Sequence, residues 1–162
     1  MLIDEQNVDK NITTIRTLHQ TTIDQRPYDL TEYLIEFFQF INKQKQHTSL
    51  SNIFNLLTNL LRDYIDRAAL KIEFLKAKCL EIIYEILIDE VNDETNIMSI
   101  LQFISELLVN SENVQEKFLN FNGYEKIFHF LYHIHSPTID FINQLLILMT
   151  EKPTLQVDNS LT

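Results

Sequence analysis

The sequence is poor in the residues that make tight chain reversals, with one glycine and three prolines among 162 residues. Sheets and barrels need turn residues at each reversal, so this scarcity argues against a β-rich fold and favours long elements. A single glycine also excludes the glycine-rich phosphate loop, the dinucleotide-binding fingerprint and the nucleophile elbow as these motifs are usually written.

Cysteine is equally scarce. Cys79 is the only one, so no intramolecular disulfide can form, and this favours a reducing compartment. The first residues read MLIDEQNVDKN, which is polar and acidic, unlike a signal peptide. No apolar run approaches the roughly 20 residues of a membrane helix. We therefore expect an intracellular, cytoplasmic domain, and the nucleus stays open as a location.

Basic residues are outnumbered by acidic ones, 13 against 23, which gives a net charge of -10 and a pI of about 4.8. Phosphate backbones attract surfaces rich in lysine and arginine, and the chain has no basic stripe. We therefore expect a protein partner with a basic surface, and neither nucleic acid nor a membrane. A simpler reading is that the acidity keeps the domain in solution.

What the sequence does contain is helical periodicity, since apolar residues recur three and four positions apart. A helix capped by Asp29 or Thr31 and a second one opened by Ser49 or Ser51 are predicted. A further helix is expected from about Leu70 to Asp89, and a short one from about Val8 to Gln20. The clearest stripe comprises Leu30, Tyr33, Leu34, Phe37, Phe38 and Ile41.

The C-terminal half continues the pattern. A helix is predicted with Ile97, Ile100, Leu101, Ile104, Leu107 and Leu108 facing inward. A short helix is expected to end at Gly123, where the glycine would form a left-handed C-cap or a tight corner. A helix from Tyr124 to Ile134 follows. The last helix is predicted to bury Ile139, Ile142, Leu145, Leu146 and Met149.

Several apolar residues lie outside these stripes, namely Phe74, Leu80, Phe103, Phe128, Phe130 and Phe141. A helix that is apolar on more than one side is usually sandwiched between layers, as in a stack of helices. An exposed partner surface is the competing explanation. On that second reading, Phe128, Phe130 and Tyr132 are the candidate partner-binding residues.

The region from 97 to 153 resembles an armadillo repeat. It contains LLVNSENVQEKF at the end of a helix, NGYEKIFHFL at a corner and TIDFINQLLILMTEKP as a closing helix. The earlier stretch FLKAKCLEIIYEILIDE is similar to the long third helix of a preceding repeat, so about one and a half repeats extend over 70–153. The resemblance implies an all-α fold, a right-handed stack of about six to seven antiparallel helices.

The same resemblance implies a non-catalytic scaffold or adaptor, of the kind that includes regulatory subunits for kinases and for cytoskeletal or cell-division factors. Armadillo grooves clamp extended peptides with an asparagine near the end of the third helix, where this chain has Glu106 and Leu148. Docking through helix faces or loop edges is therefore expected. The alternative is a compact Bcl-2-like helical bundle that binds a partner helix in a groove.

Residues capable of chemistry do not form a recognisable site. Glu125, His129 and His133 are spaced four apart, but the glutamate of the zinc-peptidase motif is missing. The acidic segment around Asp93 lacks the spacing of a calcium loop. We expect Cys79 to be buried and Arg62 to pair with Asp66 on a helix surface. No catalytic residue, metal ligand or cofactor is predicted.

Three regions are expected along the chain. Residues 1–27 form a polar N-terminal segment that is a weak helix or disordered. Residues 28–152 form the armadillo-like helical domain. Residues 153–162, which begin at a helix-stopping proline, form a disordered tail.

Overall fold

The computed structural model describes residues 3–45, 49–88, 93–131 and 137–150. These residues form nine α-helices and one 3₁₀ turn, and no strand. The all-α class is therefore confirmed, with more helices than the six to seven expected. The helices are α1 Val8–Gln20, α2 Leu30–Gln44, α3 Leu50–Asp63, α4 Arg67–Lys76, α5 Cys79–Leu87, α6 Glu94–Leu108, α7 Glu112–Asn120, α8 Gly123–Leu131 and α9 Ile139–Thr150.

Side-chain caps fix where several helices begin. Asp29 accepts a hydrogen bond from the amide of Glu32 at 3.0 Å, and Ser49 accepts one from the amide of Asn52 at 3.2 Å. Asp93 caps α6 in the same way. Each cap satisfies an amide that has no partner inside its helix. Of the two residues predicted for each start, the structure therefore selects Asp29 for α2 and Ser49 for α3.

The single helix predicted from about Leu70 to Asp89 is wrong, because the chain breaks between α4 and α5. Lys78 adopts a left-handed conformation with φ of 57°, and its amide donates to the carbonyl of Leu75 at 3.0 Å. No glycine or proline marks this break, so the apolar spacing reads across it. Up to Ile88, the stretch FLKAKCLEIIYEILIDE is thus the end of α4 followed by α5, and neither helix is as long as α6.

The helices pack in rows of every third element. α3 packs on α6, and α6 packs on α9. α2 likewise packs on α5, which contacts α8, and α4 contacts α7. At the other end, α1 packs against both α2 and α3. Ile15 and Leu18 of α1 are buried in the same hydrophobic core as the rest, so the expected boundary at residue 28 does not divide that core.

A cluster of phenylalanine rings lies where four helices meet. Phe103 of α6 contacts Phe54 of α3 with ring centroids 5.6 Å apart, and Phe74 of α4 at 5.7 Å. Phe38 of α2 also contacts Phe74, at 5.9 Å. These rings are fully buried. Phe74 and Phe103 lie off the predicted stripes of their helices. The burial of Phe103 shows that α6 is covered on more than one side, whereas Phe74 shares one side of α4 with Leu70.

Gly123 does not form the left-handed cap that the sequence predicts. The residue with positive φ at this corner is Asn122, at 57°. Gly123 is instead required by close packing, because a Cβ atom there would lie 2.2 Å from the ring of Phe118. The corner therefore depends on two neighbouring residues, one for its backbone conformation and one for its lack of a side chain.

Two polar contacts between helices differ from the simplest reading of the sequence. Arg62 pairs with Glu106 of α6, with Nε and Oε2 3.1 Å apart, and not with Asp66. The predicted pair is wrong because α3 ends at Asp63, so Asp66 is not on the same helix. Lys71 is buried, and its ammonium group donates to the carbonyl of Val109 at 2.8 Å, next to the end of α6.

Candidate functional site

The outward side of α9 carries an exposed aliphatic stripe. Ile139, Ile142 and Leu146 are 77%, 44% and 59% exposed, and Ile147 beside them is 50% exposed. Their spacing places them along one side of the helix. Large aliphatic side chains that are exposed together, and not singly, mark a surface that associates with another molecule.

The opposite side of α9 is the one that packs on α6. Phe141 and Leu148 are 1% exposed, and Gln144 between them is also buried. Gln144 donates from Nε2 to the hydroxyl of Ser105 on α6 at 3.3 Å. α9 therefore has two apolar sides, and one of them packs on α6 inside the domain.

The inward face predicted for α9 is therefore wrong for Ile139, Ile142 and Leu146, while Leu145 and Met149 are partly buried against the core. Apolar spacing alone could not choose between the two sides. The buried side contains a glutamine, which reads as solvent-facing until its hydrogen bond to Ser105 is known. Burial of a polar group is acceptable when it is hydrogen-bonded, and here the partner lies 39 positions away in sequence.

Acidic side chains lie at one end of this stripe. Glu94 of α6 accepts hydrogen bonds from the amide of Thr138, at 3.2 Å, and from its hydroxyl group, directly before α9 begins. Asp140 is exposed in the first turn of α9. Neither α6 nor α9 contains a lysine or arginine. The surface therefore combines an uncharged aliphatic centre with carboxylates at one end.

The structure describes only part of the predicted partner-binding set of Phe128, Phe130 and Tyr132. Phe128 is 37% exposed, and it is the one of the three whose side chain the structure describes. The side chain of Phe130 and the whole of Tyr132 lie outside the described residues. The same holds for the side chain of His129 and for His133. The sequence reading thus missed the stripe on α9, although its general signal, apolar residues on two sides of one helix, is visible there.

Metal-ligating and nucleophilic side chains were also located in the described part of the chain. Within them, no group of three or more His, Cys, Asp or Glu side chains is placed to hold a metal ion. Cys79 is fully buried, as predicted, and burial raises the pKa of its thiol well above the ordinary value. A buried thiol with a raised pKa is a poor nucleophile. In the ranges that the structure covers, no helix is long and apolar enough to cross a bilayer.

Neither of the two positions aligned with the armadillo asparagines has a side-chain amide that could hold a peptide. Glu106 is paired with Arg62, and Leu148 is buried against the core. Neither side chain is therefore placed as a peptide-clamping asparagine would be. Comparison of the chain with family models, with curated proteins and with solved structures finds no match.

Proposed function

We propose that this protein is a non-catalytic protein-interaction scaffold, an armadillo-like helical stack whose α9 docks a basic amphipathic helix of another protein. The observation that carries the proposal is the exposed stripe of Ile139, Ile142 and Leu146. This stripe is the docking surface that the proposal assigns, in place of the aromatic residues of α8.

The stacked architecture is supported by the contacts between helices. Three units of three helices, α1–α3, α4–α6 and α7–α9, would each place their third helix in the row formed by α3, α6 and α9. In a stack of repeats, each unit buries its apolar faces only against the neighbouring units. A terminal unit usually has a polar outer face. A closed Bcl-2-like bundle does not require packing between every third helix, so this pattern favours the stack.

The partner's chemistry follows from the surface. An aliphatic stripe of helical spacing is matched by the apolar side of a second helix. The carboxylates of Glu94 and Asp140, together with the net charge of -10, favour lysine or arginine beside that apolar side. A helix with acidic flanks would meet like charges. We therefore assign a basic amphipathic helix as the occupant.

The size of the stripe sets the expected affinity. Fully burying one isoleucine or leucine side chain stabilises a complex by about 1.5–3 kcal/mol. Because these three side chains are partly buried already, together they contribute roughly 3–5 kcal/mol to the free energy of binding. Association costs at least about 4 kcal/mol in lost freedom. The stripe alone therefore supports only weak binding, and pairing of the flanking charges must add to it. We expect micromolar or weaker affinity.

The test uses a labelled peptide helix about three turns long, with leucines spaced as in α9 and lysines on either side. Its binding to the full chain is followed by fluorescence anisotropy at physiological salt. Ile142→Glu with Leu146→Glu should abolish binding, because charge replaces the aliphatic centre. The free energy of unfolding should stay near that of the wild type, since both side chains are exposed.

The matched control is Asn55→Glu with Asn59→Glu, which adds two charges at the same spacing on the exposed side of α3. This control should bind the peptide as the wild type does. The proposal fails if the α9 variant binds normally, or if a peptide with glutamates in place of the lysines binds equally well. Loss of the fold in the α9 variant would show that its stripe belongs to the core.

A further inference from the structure

Helices α3 and α6 run in the same direction. Near their starts, the amide of Ser51 donates to Oδ1 of Asn96 at 3.0 Å. Near their ends, Nε of Arg62 donates to Oε2 of Glu106 at 3.1 Å. Because the two starts lie together and the two ends lie together, the helices are parallel.

The pair formed by α6 and α9 repeats this arrangement. Glu94, the first residue of α6, accepts from the amide of Thr138, directly before α9, at 3.2 Å. Further along both helices, Nε2 of Gln144 donates to the hydroxyl of Ser105 at 3.3 Å. These contacts advance in the same direction along both helices, so the row of α3, α6 and α9 consists of parallel helices.

α6 and α9 also begin with equivalent side-chain caps. Oδ1 of Asp93 accepts from the amide of Asn96 at 2.8 Å. The hydroxyl oxygen of Thr138 accepts from the amide of Phe141 at 3.2 Å. In both helices the amide belongs to the third residue after the cap, so equivalent positions are found by counting from the cap.

The sides that the two helices turn toward the preceding helix are equivalent. On α6, the contacts with α3 lie at the third, sixth and tenth positions after the cap, which are Asn96, Ser99 and Phe103. At the same three positions, α9 has the residues of its buried side, which are Phe141, Gln144 and Leu148. α9 therefore packs on α6 with the same side that α6 packs on α3.

The exposed stripe of α9 is then equivalent to the side of α6 on which α9 lies. That side of α6 includes the first, fourth and eighth positions after the cap, which are Glu94, Ile97 and Leu101. At these positions α9 has the three residues of its stripe, Ile139, Ile142 and Leu146. Ile97 and Leu101 are buried, whereas the stripe is exposed in the described part of the chain. The stripe is therefore the next position in the row.

We infer that the partner's basic amphipathic helix continues this row and lies parallel to α9, with its first turn beside Asp140. The inference rests on the proposed function and adds a direction and a register to it. The residues that face the stripe would be spaced as Phe141, Gln144 and Leu148 are, since that spacing fits the equivalent side of α6. Helix dipoles favour antiparallel neighbours, but dipole effects at a surface contribute no more than about 1 kcal/mol. Both pairs within the row are parallel in spite of them.

The direction is tested with the lysine-flanked leucine peptide of the anisotropy experiment, carrying a nitroxide at its first or its last residue. The nitroxide weakens the NMR signals of nearby amides in the isotope-labelled full chain, and the effect falls steeply with distance. The amides of Ile139 and Met149 are about 15 Å apart along α9. With the label at the first residue, Ile139 should lose most of its intensity and Met149 should keep it. With the label at the last residue, we expect the reverse.

The variant Ile142→Glu with Leu146→Glu is the control, and it should lose no intensity with either label. An antiparallel pattern, or equal losses at both ends of α9, would overturn the inference and leave the docking surface intact. A peptide that does not bind in the anisotropy experiment would overturn the proposed function and this inference with it. Sedimentation of the chain alone as a dimer, abolished in the α9 variant, would assign the stripe to a second copy and would also overturn the inference.

Discussion

At the scale of single residues, Gly123 is constrained by space and not by backbone conformation. A methyl group at this position would overlap the ring of Phe118, since the Cβ would lie 2.2 Å from its Cε2 atom. Phe118 is buried and is held edge-on against Tyr124 with ring centroids 4.8 Å apart, so the ring cannot move freely. We expect Gly123→Ala to lower the free energy of unfolding by about 2 kcal/mol, as measured by urea denaturation.

A change at Phe118 tests whether contact with its ring causes this loss of stability. Phe118→Leu removes part of the ring, so Gly123→Ala should cost less in that background than in the wild type. The two losses would then be clearly less than additive. Additive losses would mean that the methyl group is harmful for a reason other than contact with Phe118.

His19 provides a prediction about pH. Its Nδ1 atom shares a hydrogen bond of 2.7 Å with the hydroxyl of Tyr64, which joins α1 to the end of α3. Burial, the largest cause, lowers the pKa of His19 from its ordinary value of 6.5, because the charged imidazolium is disfavoured. The carboxylate of Asp66 opposes this shift, and the guanidinium of Arg26 adds to it.

The lowered pKa of His19 determines how the stability of the folded chain changes with pH. Above pH 6.5 the ring is neutral in both the folded and the unfolded chain, so it causes no change in the free energy of unfolding. Below that pH the unfolded chain takes up a proton first, and stability falls until the pH passes the folded pKa. The unfolding free energy of wild type minus that of His19→Asn should therefore decrease as the pH falls below 6.5. A flat or rising difference would contradict the burial of this ring.

At the scale of elements, the N-terminal segment is joined to α1 and α2 by one buried amide. Asn11 accepts from the amide of Asp4 and donates to its carbonyl, both at 2.8 Å. The hydroxyl of Tyr33 donates to the same side-chain oxygen at 3.1 Å. This arrangement holds the residues before α1 against the core, where Ile3 is buried.

Removing this amide should release the segment. Asn11→Ala leaves the hydroxyl of Tyr33 and the backbone of Asp4 without their partner, and we expect a loss of about 2 kcal/mol in unfolding free energy. Exchange of the Asp4 amide hydrogen should become faster, which NMR would detect. Asn59→Ala, at an exposed position of α3, is the control for losing an asparagine from a helix. Unchanged exchange at Asp4 would show that the segment is held by Ile3 alone.

Elements differ in how far the sequence determines them. The stripe of α6 is predicted correctly, since each of its six inward residues is buried. The helix has no second apolar side of similar size that could compete with this stripe. α9 is the opposite case, since Gln144 is buried and Ile142 is exposed. The break at Lys78 depends on a backbone conformation that lysine seldom adopts, and nothing in the residue types signals it. Sequence patterns thus place the helices well, but they do not orient a helix with two apolar sides.

At the scale of the whole molecule, the candidate site depends on packing between distant segments. The stripe on α9 is exposed because the opposite side of the helix, with Phe141 and Leu148, is buried where α9 packs on α6. Composition predicted the charge of a partner for the domain as a whole. It could not show where on the surface that partner would bind, because the contact between α6 and α9 joins segments that are far apart in sequence.

The row formed by α3, α6 and α9 also predicts how the domain opens. In a stack, each helix is stabilised mainly by its neighbours, so the last helix of a row can detach before the others unfold. Leu148 is buried between α9 and the core, and Leu148→Ala should cost about 2–4 kcal/mol. In a stack, that loss falls mainly on α9. Amide exchange should then accelerate by roughly 30-fold or more in α9 and change little in α3.

A compact bundle would behave differently, because each of its helices packs against most of the others and they unfold together. In that case Leu148→Ala would accelerate exchange equally in α3, α6 and α9, and the stacked architecture would be contradicted. Ile142→Ala, on the exposed side of the same helix, is the control and should leave the exchange of α9 nearly unchanged. The basic amphipathic peptide should slow the exchange of α9 in the wild type, since it covers the side that solvent now contacts. Exchange rates therefore test the row of helices and its outward surface in one experiment.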